Sequence, residues 1–396
     1  MACFKAGKTM RRFKFWGKGL LVLLTLAFCF VQFVFVPNVD NRLNATISHD
    51  PYPVSEAAKR LHNSLYIADL HADTLLWRRN PEHKHKRGHV DLPRLREGGV
   101  NFQIMSAVTK SPRGLNFDGN DSNAPDDITL VAMAQLWPLR TWSSIYERAA
   151  FQAERLHKLA ANPDNKLIIA RYSEDMTGAD DTLVTVLLTE GSHPLEGKIE
   201  NIDRLYDHGY RAMGLQHFFD NELGGSMHGR TQAGLSAFGK DAIAHMVKRG
   251  IIIDVAHASI ATVRDVLDLT EVPLILSHGG IRSHCPKTAN RNLPDDILKE
   301  MAARGSLIGI GYFDGVVCDI SPKGIASAII YAVDLLGEDF VALGSDYDGS
   351  VTVSFDTSEL AAITHELLEQ GLPEATIQKV MGENARKFFI RNLPQK

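Results

Sequence analysis

From residue 60 onward, short apolar runs alternate with stretches of helical periodicity. Eight of the runs have the length of a strand, and their continuous apolar character is typical of parallel strands buried on both faces. They are LYIADL (65–70), VNFQIMSAV (100–108), LVTVLLTEG (183–191), YRAMGLQHF (210–218), IIIDVAHA (251–258), PLILSHG (273–279), SLIGIGYF (306–313) and FVALGSDYDG (340–349). A further run, KLIIARY (166–172), predicts an additional short strand.

The stretches between these runs predict helices. Ile199, Ile202 and Leu205 recur at helical spacing before Gly209, and another amphipathic stretch stops at Gly250. Eight strand–helix units in series predict an α/β fold of the TIM (β/α)8 barrel type. A doubly wound sheet is the alternative, but no glycine-rich phosphate-binding turn follows the first strand.

An apolar segment near the N-terminus stands apart from this alternation. Residues 19–36 have one glutamine as their most polar member. At ~1.5 Å per residue they reach ~27 Å, just enough to cross a bilayer. Residues 1–18 are basic, which predicts a cytoplasmic N-terminus and an exported remainder, periplasmic or extracellular. We expect an uncleaved transmembrane anchor, and a cleaved signal peptide is the alternative.

The remaining chain divides into a linker and one catalytic unit. Residues 37–55 are polar and contain prolines, which predicts a linker, and residues 56–392 would form the barrel. Residues 109–165 are predicted to be an insertion, in which 109–127 form a loop and 128–161 are mostly helical. The net charge of -4 and the lack of a basic stripe beyond the N-terminus argue against a nucleic-acid partner.

Polar side chains stand at the ends of most predicted strands, where the mouth of a TIM barrel carries its active site. They are His71, Asp73, Glu190, His217, His257, His278 and Asp346. Because side chains alternate along a strand, His71 and Asp73 point to the same side and can bind one metal ion together. Imidazole and carboxylate together favour zinc or a similar metal. Three histidines, one aspartate and one glutamate suffice for two ions if the glutamate bridges them.

Other polar residues are expected to be structural or exposed. Asp254 falls earlier in its strand than His257, so a structural role is expected. Seven histidines outside the strand ends are expected to be exposed, those on helical stretches at the surface and those in the first loop in solvent. They are His62, His157, His208 and His245 on helices, and His83, His85 and His89 in the loop.

The four cysteines would fall in different compartments. Cys3 would be cytoplasmic and Cys29 would lie in the membrane. Cys285 and Cys318 would both be exported, where disulfides persist, so we expect them to pair. Two buried thiols are the alternative.

Five long motifs together resemble the membrane dipeptidases (renal dipeptidase, peptidase family M19), a family of amidohydrolase-like TIM barrels. The motifs are LLTEGSHPLEG, GLQHFFDNELGGSMHG, DVAHAS, SHGGIRSHCPKTANRNLPDD and LGSDYDG. The resemblance spans roughly residues 55–392 and is strongest to bacterial members. It implies that His71 and Asp73 bind one zinc ion, that His257 and His278 bind a second, and that Glu190 bridges them.

The resemblance also implies roles around the two ions. His217 would stabilise the tetrahedral intermediate, and Asp346 would handle protons around the attacking water. Arg291 would bind the C-terminal carboxylate of the substrate, a task that suits a guanidinium, and Tyr312 would contact substrate. The disulfide of the family matches Cys285 and Cys318.

The implied activity is zinc-dependent hydrolysis of dipeptides, including those with a C-terminal D-residue, by a hydroxide that bridges the metals. The implied assembly is a homodimer. The chain ends in IRNLPQK without an apolar tail, so we expect anchoring through residues 19–36 rather than through a C-terminal glycolipid. One alternative is another amidohydrolase-type enzyme acting on a cyclic amide, lactone or β-lactam. The other is an inactive surface-binding protein.

Overall fold

The computed structural model describes residues 18–178, 181–288 and 290–396. Nine parallel strands lie in these residues: β1 Ile67–Ala72, β2 Val100–Val108, β3 Leu167–Ile169, β4 Leu183–Glu190, β5 Tyr210–Gly214, β6 Ile252–Asp254, β7 Ile275–Gly279, β8 Leu307–Ile310 and β9 Val341–Leu343. Eight of them close into a barrel, because β2 pairs with β4 on one side and β1 pairs with β9 on the other. The predicted TIM barrel is therefore confirmed.

The additional short strand is confirmed as well. β3 lies outside the closed ring and pairs with the first residues of β4, with Leu167 opposite Leu183. β5 takes the same side of β4 further along, beginning at Leu187. β3 thus extends the sheet at the end of the barrel that lies away from the mouth.

Helices surround the barrel and fill its connections. They are α1 Lys18–Leu43, α2 Glu56–His62, α3 Leu92–Glu97, α4 Asp127–Ala134, α5 Arg140–Ser143, α6 Ile145–Ala160, α7 Glu200–Asp207, α8 Ala237–Arg249, α9 Ile260–Leu269, α10 Asp295–Ala303, α11 Pro322–Leu336, α12 Ala361–Glu369, α13 Glu374–Gln378 and α14 Asn384–Asn392. Local signals set their ends. Ser236 caps α8 by accepting from the Gly239 amide, and Gly250 ends it with φ of 67°.

The end of the barrel opposite the mouth is filled by apolar side chains. Phe388 and Phe389 of α14 pack into this end, and the rings of Phe389 and Phe102 lie 4.8 Å apart. Ala68, Leu70 and the other inward-facing residues of the lower strands complete this layer. Because the lower half is packed with hydrocarbon, the polar strand ends collect at the other end of the barrel.

The helix α1 is the one helix in the described chain that is long and apolar enough to cross a membrane, with a mean hydropathy of 2.6 over its most apolar window. Its residues Val31–Phe35 are π-helical. The helix continues to Leu43, so the expectation of a linker from residue 37 is wrong for residues 37–43. The predicted cytoplasmic N-terminus, residues 1–17, and its Cys3 lie outside the described residues.

Docking against the barrel explains why α1 extends so far. Gln32, Val36 and Asp40 recur every four residues, which places them on one face of the helix, and all three are buried. The Asp40 carboxylate lies 3.1 Å from Nε of Arg79 and 2.8 Å from Nε of Arg87. These tertiary contacts hold a polar sequence helical where the local pattern favours a linker.

Cys285 and Cys318 form a disulfide, as predicted. Cys285 follows β7 and Cys318 follows β8, and their Cα atoms lie 5.4 Å apart. The bond therefore ties together two neighbouring loops at the mouth of the barrel. Cys29, in α1, is a free thiol.

Candidate metal centre

The predicted polar strand ends converge at the mouth of the barrel. His71 lies in β1, Glu190 ends β4 and His278 lies in β7. The other four members follow their strands directly or within three residues: Asp73 after β1, His217 after β5, His257 after β6 and Asp346 after β9. All seven side chains are buried, with exposures of 6% or less.

Glu190 is the centre of this arrangement. Its Oε1 lies 3.3 Å from Nε2 of His257, 3.5 Å from Nε2 of His217 and 3.6 Å from Nε2 of His278. Nε2 of His71 lies 3.7 Å from the same oxygen. One carboxylate thus faces four imidazole nitrogens, as a residue shared by two cations would.

Two groups of possible metal ligands share Glu190. One contains His71, Glu190, His278 and Asp346, and the other contains Glu190, His217 and His257. Asp73 joins the first group through its Oδ1, which lies 3.4 Å from Nε2 of His71. The resemblance instead grouped His278 with His257, and their Nε2 atoms lie only 2.9 Å apart. Glu190, His257 and His278 are therefore close enough to serve one ion together.

Ser277 orients two of these histidines from behind. Its Oγ lies 3.1 Å from Nδ1 of His71 and 2.9 Å from Nδ1 of His278, and it donates to Asp254 Oδ2 over 2.6 Å. Because the hydroxyl hydrogen goes to Asp254, both Nδ1 atoms must donate to Ser277 Oγ. Both imidazoles then present an unprotonated Nε2 to the centre, which is the form that binds a metal ion.

The backbone around the centre is fixed in unusual ways. His257 and Asp346 both adopt a left-handed conformation, with φ of 64° and 62°. Non-glycine residues rarely do so, and such strain collects at functional sites. Gly309 and Gly344 let β8 and β9 approach the Ser277 carbonyl, since an added Cβ would lie 2.3 Å and 2.1 Å from that oxygen.

Burial shapes the protonation of the centre. It raises the pKa of Glu190 and of Asp346 well above the ordinary range, and the nearby Asp73 carboxylate raises both further. Burial also lowers the pKa of His257 and His278 well below the usual value, so both are neutral. Burial disfavours a charged His71 too, but Asp73, Asp346 and Asp254 outweigh it and raise its pKa.

The donor set fits metal ions. Among the described residues, Nε2 of His71, Oδ1 of Asp73 and Oε2 of Glu190 are buried and make no hydrogen bond. Buried polar atoms are normally satisfied, so such atoms need an explanation. His257 and His278 bring two ring nitrogens within 2.9 Å, a contact that requires a proton or a cation between them. Nitrogen and carboxylate oxygen donors without thiolate suit zinc among the common metals.

His217 takes a defined tautomer. Its Nδ1 lies 3.0 Å from the Lys110 carbonyl oxygen, which can only accept, so Nδ1 carries the proton. Its Nε2 therefore faces Glu190 with a lone pair. Burial lowers the pKa of His217 to about 4, which keeps this ring neutral near neutral pH.

Arg291 and Tyr312 occupy different surroundings. Arg291 is 2% exposed, and its Nη2 donates to the His278 carbonyl over 3.1 Å. Its Nε and Nη1 make no hydrogen bond, and it lines a cavity of about 490 Å³. Tyr312 is fully buried, packs its ring against Tyr347 and Phe355, and leaves its hydroxyl without a hydrogen bond.

The sequence predicted the wrong environment for two histidines, and two further residues near the centre were not among the predicted site residues. His62 and His89 are buried, not exposed: His62 contacts Thr364 and Gly98, and His89 Nδ1 accepts from the Asp348 amide. His228 and Ser277 were not singled out. His228 stacks on Phe218 beside His257, at 4.6 Å between ring centres. The sequence signals for these two residues are the triplets SHG (277–279) and MHG (227–229), and neither triplet indicates a function by itself.

Comparison with known proteins gives a consistent picture. The chain matches the membrane dipeptidases, peptidase family M19, over residues 55–391. It is 28% identical to dipeptidase verJ of Clonostachys rogersoniana over 76% of this chain and 75% of that protein. It is 26% identical to dipeptidase aclJ of Aspergillus oryzae over 93% of this chain and 87% of that protein.

Solved structures share the fold. A metallo peptidase from Rhodobacter sphaeroides, liganded with a phosphinate mimic of the dipeptide L-Ala-D-Ala, superposes with a TM-score of 0.66 at 21% identity, covering 83% of this chain and 99% of that one. The probable dipeptidase PvdM from Pseudomonas aeruginosa gives a TM-score of 0.68 at 19% identity, covering 84% and 97%. At these identities the likeness supports the barrel fold.

Proposed function

Because this chain belongs to the membrane dipeptidase family, peptidase family M19, we propose that it hydrolyses dipeptides with two zinc ions at the mouth of the barrel. Metal-dependent hydrolysis of dipeptides is the activity of the family; the zinc identity, the two ions and the residue roles are our proposal. The observation that carries it is the convergence of four imidazole nitrogens on Oε1 of Glu190, at 3.3–3.7 Å.

Five side chains would hold the ions. His71 and Asp73 would serve one ion, His257 and His278 the other, and Glu190 both. Bound there, the ions would lower the pKa of a water molecule and polarise the peptide carbonyl. Ser277 and Asp254 would keep His71 and His278 in the binding tautomer, as their hydrogen bonds favour.

Arg291 would bind the C-terminal carboxylate of the dipeptide. Its Nε and Nη1 make no hydrogen bond within the protein, so the guanidinium keeps donors for a carboxylate. Asn116, Phe117 and Asp118 of the insertion also line the cavity beside it. A cavity of this size with a fixed cation in its wall favours short substrates with a free carboxylate. We propose that the insertion selects among their side chains and that Tyr312 is a further contact.

Protons would move through Asp346, and His217 would hold one near the carbonyl oxygen. The Asp346 carboxylate, buried beside the centre, would accept a proton from the attacking water and deliver it to the leaving amine. The predicted stabilisation of the carbonyl oxygen by His217 needs a proton on Nε2, which this tautomer lacks. In the reaction His217 would therefore act as the other neutral tautomer and hydrogen-bond to the oxygen through Nε2, without transferring the proton.

The chain would act outside the cytoplasm, anchored by α1. The Cys285–Cys318 disulfide favours an oxidising compartment for the barrel. Asp40 is buried between Arg79 and Arg87, so cleavage after the apolar segment would sever α1 from its contacts; this supports the uncleaved anchor. A homodimer remains a prediction from the family resemblance, and the mass of the detergent-solubilised full chain in light scattering tests it.

The test uses the full chain in detergent, stripped with a chelator and reloaded with zinc. We expect hydrolysis of free dipeptides, with L- or D-residues at the C-terminal position, to return with about two zinc ions per chain. The matching dipeptide amides should be poor substrates, and Arg291→Ala should remove this discrimination while Arg291→Lys keeps part of it. Hydrolysis of lactones or β-lactams without dipeptidase activity would favour the alternative amidohydrolase. Zinc binding without any turnover would favour the inactive binding protein.

A further inference from the structure

An apolar patch lies beside the point where α1 meets the barrel. It consists of four side chains on α4 and the turn that follows: Leu130, Met133, Leu136 and Leu139. They are 50%, 38%, 50% and 72% exposed. Leu130 and Met133 lie three residues apart on α4 and so share one face of the helix, whereas Leu136 and Leu139 lie in the turn that follows it. Large exposed apolar side chains grouped in this way mark interaction sites in soluble domains.

The patch is connected directly to α1. Nε2 of Gln32 donates to the carbonyl of Ala134, the last residue of α4, over 2.9 Å. Gln135 next to it donates to the Leu76 carbonyl over 3.0 Å, which fastens the end of α4 to the first loop of the barrel. The patch is therefore held at a fixed place relative to α1.

Leu136 is exposed at a conformational cost. It has φ of 58°, and it follows the C-cap of α4 where a left-handed residue is usually glycine. A leucine there is strained by its Cβ. Because Leu136 is half exposed to solvent, burial in the core does not fully account for a strained leucine at this position.

The length of α1 sets the depth of the patch. Lys18 and the five basic residues before it limit the inner end of the span. From Lys18 to Gln32 the helix rises ~21 Å, whereas the hydrocarbon core of a bilayer is ~30 Å thick. Gln32 is already buried against the barrel. If α1 crosses a membrane, the barrel surface around Gln32 and Ala134 reaches the interface of the outer leaflet.

A basic rim, formed by the exposed residues Arg78 and Lys158, borders the patch. The Arg78 guanidinium hydrogen-bonds to Oε1 of Gln32, and both rim side chains line a cavity of about 520 Å³ that also contains Glu82. Within the described chain neither of the two forms an ion pair with a carboxylate, and Glu82 instead accepts from the side-chain amides of Asn162 and Asn165. The rim thus offers two cations with no acidic partner in contact.

We propose that the apolar patch inserts into the outer leaflet of the membrane that α1 crosses, with the basic rim on anionic lipid headgroups. Apolar side chains flanked by cations are the combination that binds a bilayer interface. This inference rests on the proposed anchoring by α1. It makes α1 and the patch two attachments of one body, so that the barrel sits on the membrane in a single orientation.

The test places a fluorophore on the patch in the full chain reconstituted into vesicles. Leu139→Cys carries an environment-sensitive label in a Cys3→Ser, Cys29→Ser background. Ile390→Cys is the matched control, because Ile390 is an exposed apolar residue of α14 at the opposite end of the barrel. We expect the label at 139 to shift to the blue and to be quenched by nitroxide-labelled lipid but not by aqueous iodide. The label at 390 should show the reverse.

A second arm tests the lipid charge. Quenching by lipid at position 139 should be stronger in phosphatidylcholine vesicles that contain phosphatidylglycerol than in phosphatidylcholine alone. Arg78→Gln with Lys158→Gln should remove this difference, and the control pair Lys240→Gln with Lys248→Gln on α8 should not. Hydrolysis of a soluble dipeptide should stay unchanged in all four variants.

Each other outcome overturns the proposal in a recognisable way. If the chain resists alkaline extraction but iodide quenches the label at 139, the anchoring stands and the docking is wrong. If alkali extracts the chain, the anchoring fails and the docking with it. If the label at 139 is protected from both quenchers and the protection is lost on dilution of the protein in lipid, the patch is an interface between copies. Zinc-dependent dipeptide hydrolysis is measured separately in each case.

Discussion

Asp346 and Asp348 lie two residues apart after β9, and both adopt a left-handed backbone with φ of 62° and 63°. Both are buried, yet their surroundings differ. The Asp348 carboxylate lies 2.7 Å from Nη2 of Arg79, accepts from the His89 amide over 2.7 Å and accepts from Oγ1 of Thr74 over 2.9 Å. Among the described residues, the one basic nitrogen within 4.0 Å of the Asp346 carboxylate is Nε2 of His71, at 3.9 Å.

Their ionisation differs in the same sense. Burial disfavours a charged Asp348, but Arg79 and His89 outweigh it and hold its pKa below the usual value. Burial raises the pKa of Asp346, and Asp73 and Glu190 raise it further. A buried carboxylate paired inside the protein stabilises the fold, whereas one among other carboxylates calls for a cation from outside. This contrast supports a structural role for the network of Asp348, Arg79 and Asp40, and a functional role for the group around Glu190.

The largest effect should come from Glu190→Gln. An amide cannot neutralise two cations, so we expect zinc content to fall and dipeptide hydrolysis to drop by more than the ~10–100-fold typical of residues that only orient ligands. Metal analysis and turnover of the purified variant are the measurements. Glu222→Gln, an exposed glutamate, is the control. Full zinc content with unchanged turnover would contradict the bridging role.

The paired variants Asp346→Asn and Asp348→Asn test the comparison directly. Asp346→Asn should lose most of its turnover and keep its thermal stability, because it relieves repulsion among buried carboxylates. Asp348→Asn should keep turnover in the folded fraction but lose about 3 kcal/mol of unfolding free energy, since among the described residues it leaves the buried Arg79 with Asp40 as the one carboxylate in contact. Chemical denaturation measures the unfolding free energy, and initial rates measure turnover. If Asp346→Asn lost stability and Asp348→Asn lost turnover, our assignment of the two residues would be reversed.

Ser277→Ala tests the orientation of the histidines. Loss of the hydroxyl removes the partner of Nδ1 in both His71 and His278, so we expect zinc affinity to fall by ~10–100-fold. Competition with a chromophoric chelator measures this change. Ser277→Thr retains a hydroxyl and serves as the conservative control. If Ser277→Ala binds zinc as tightly as the parent chain, the hydrogen bonds do not set the tautomers.

The smallest effect concerns pH. A carboxyl whose pKa is lowered by folding adds stability above its unfolded pKa of ~4, and this stability is lost as the pH falls through the folded value. The difference in melting temperature between the parent chain and Asp348→Asn should therefore be full near pH 7 and shrink in acid below ~4. Melting curves across this range, with zinc removed from both proteins, provide the measurement. A difference that grows on acidification would show that Arg79 does not stabilise the charged Asp348.

The two regions also differ in how far the sequence revealed them. Strand runs ending in a histidine or an acid predicted the barrel and its mouth, because parallel strands buried on both faces leave polar residues only at their ends. The charged network at α1 was missed. Asp40 lies in a polar stretch typical of a linker, and His89 lies in a loop rich in charged residues, so only their distant partners Arg79 and Asp348 reveal that they are buried.

The sequence by itself determined the barrel, the apolar helix, the disulfide partners and the set of polar strand ends, since each follows from local periodicity or residue type. Tertiary structure alone decided which charges are satisfied. Asp346 and Asp348 are the same residue type in the segment GSDYDG, and only the elements folded around them give one an arginine and the other two carboxylates. It also decided that α1 docks on the barrel, because the burial of Gln32 and Asp40 depends on surfaces contributed by residues far along the chain.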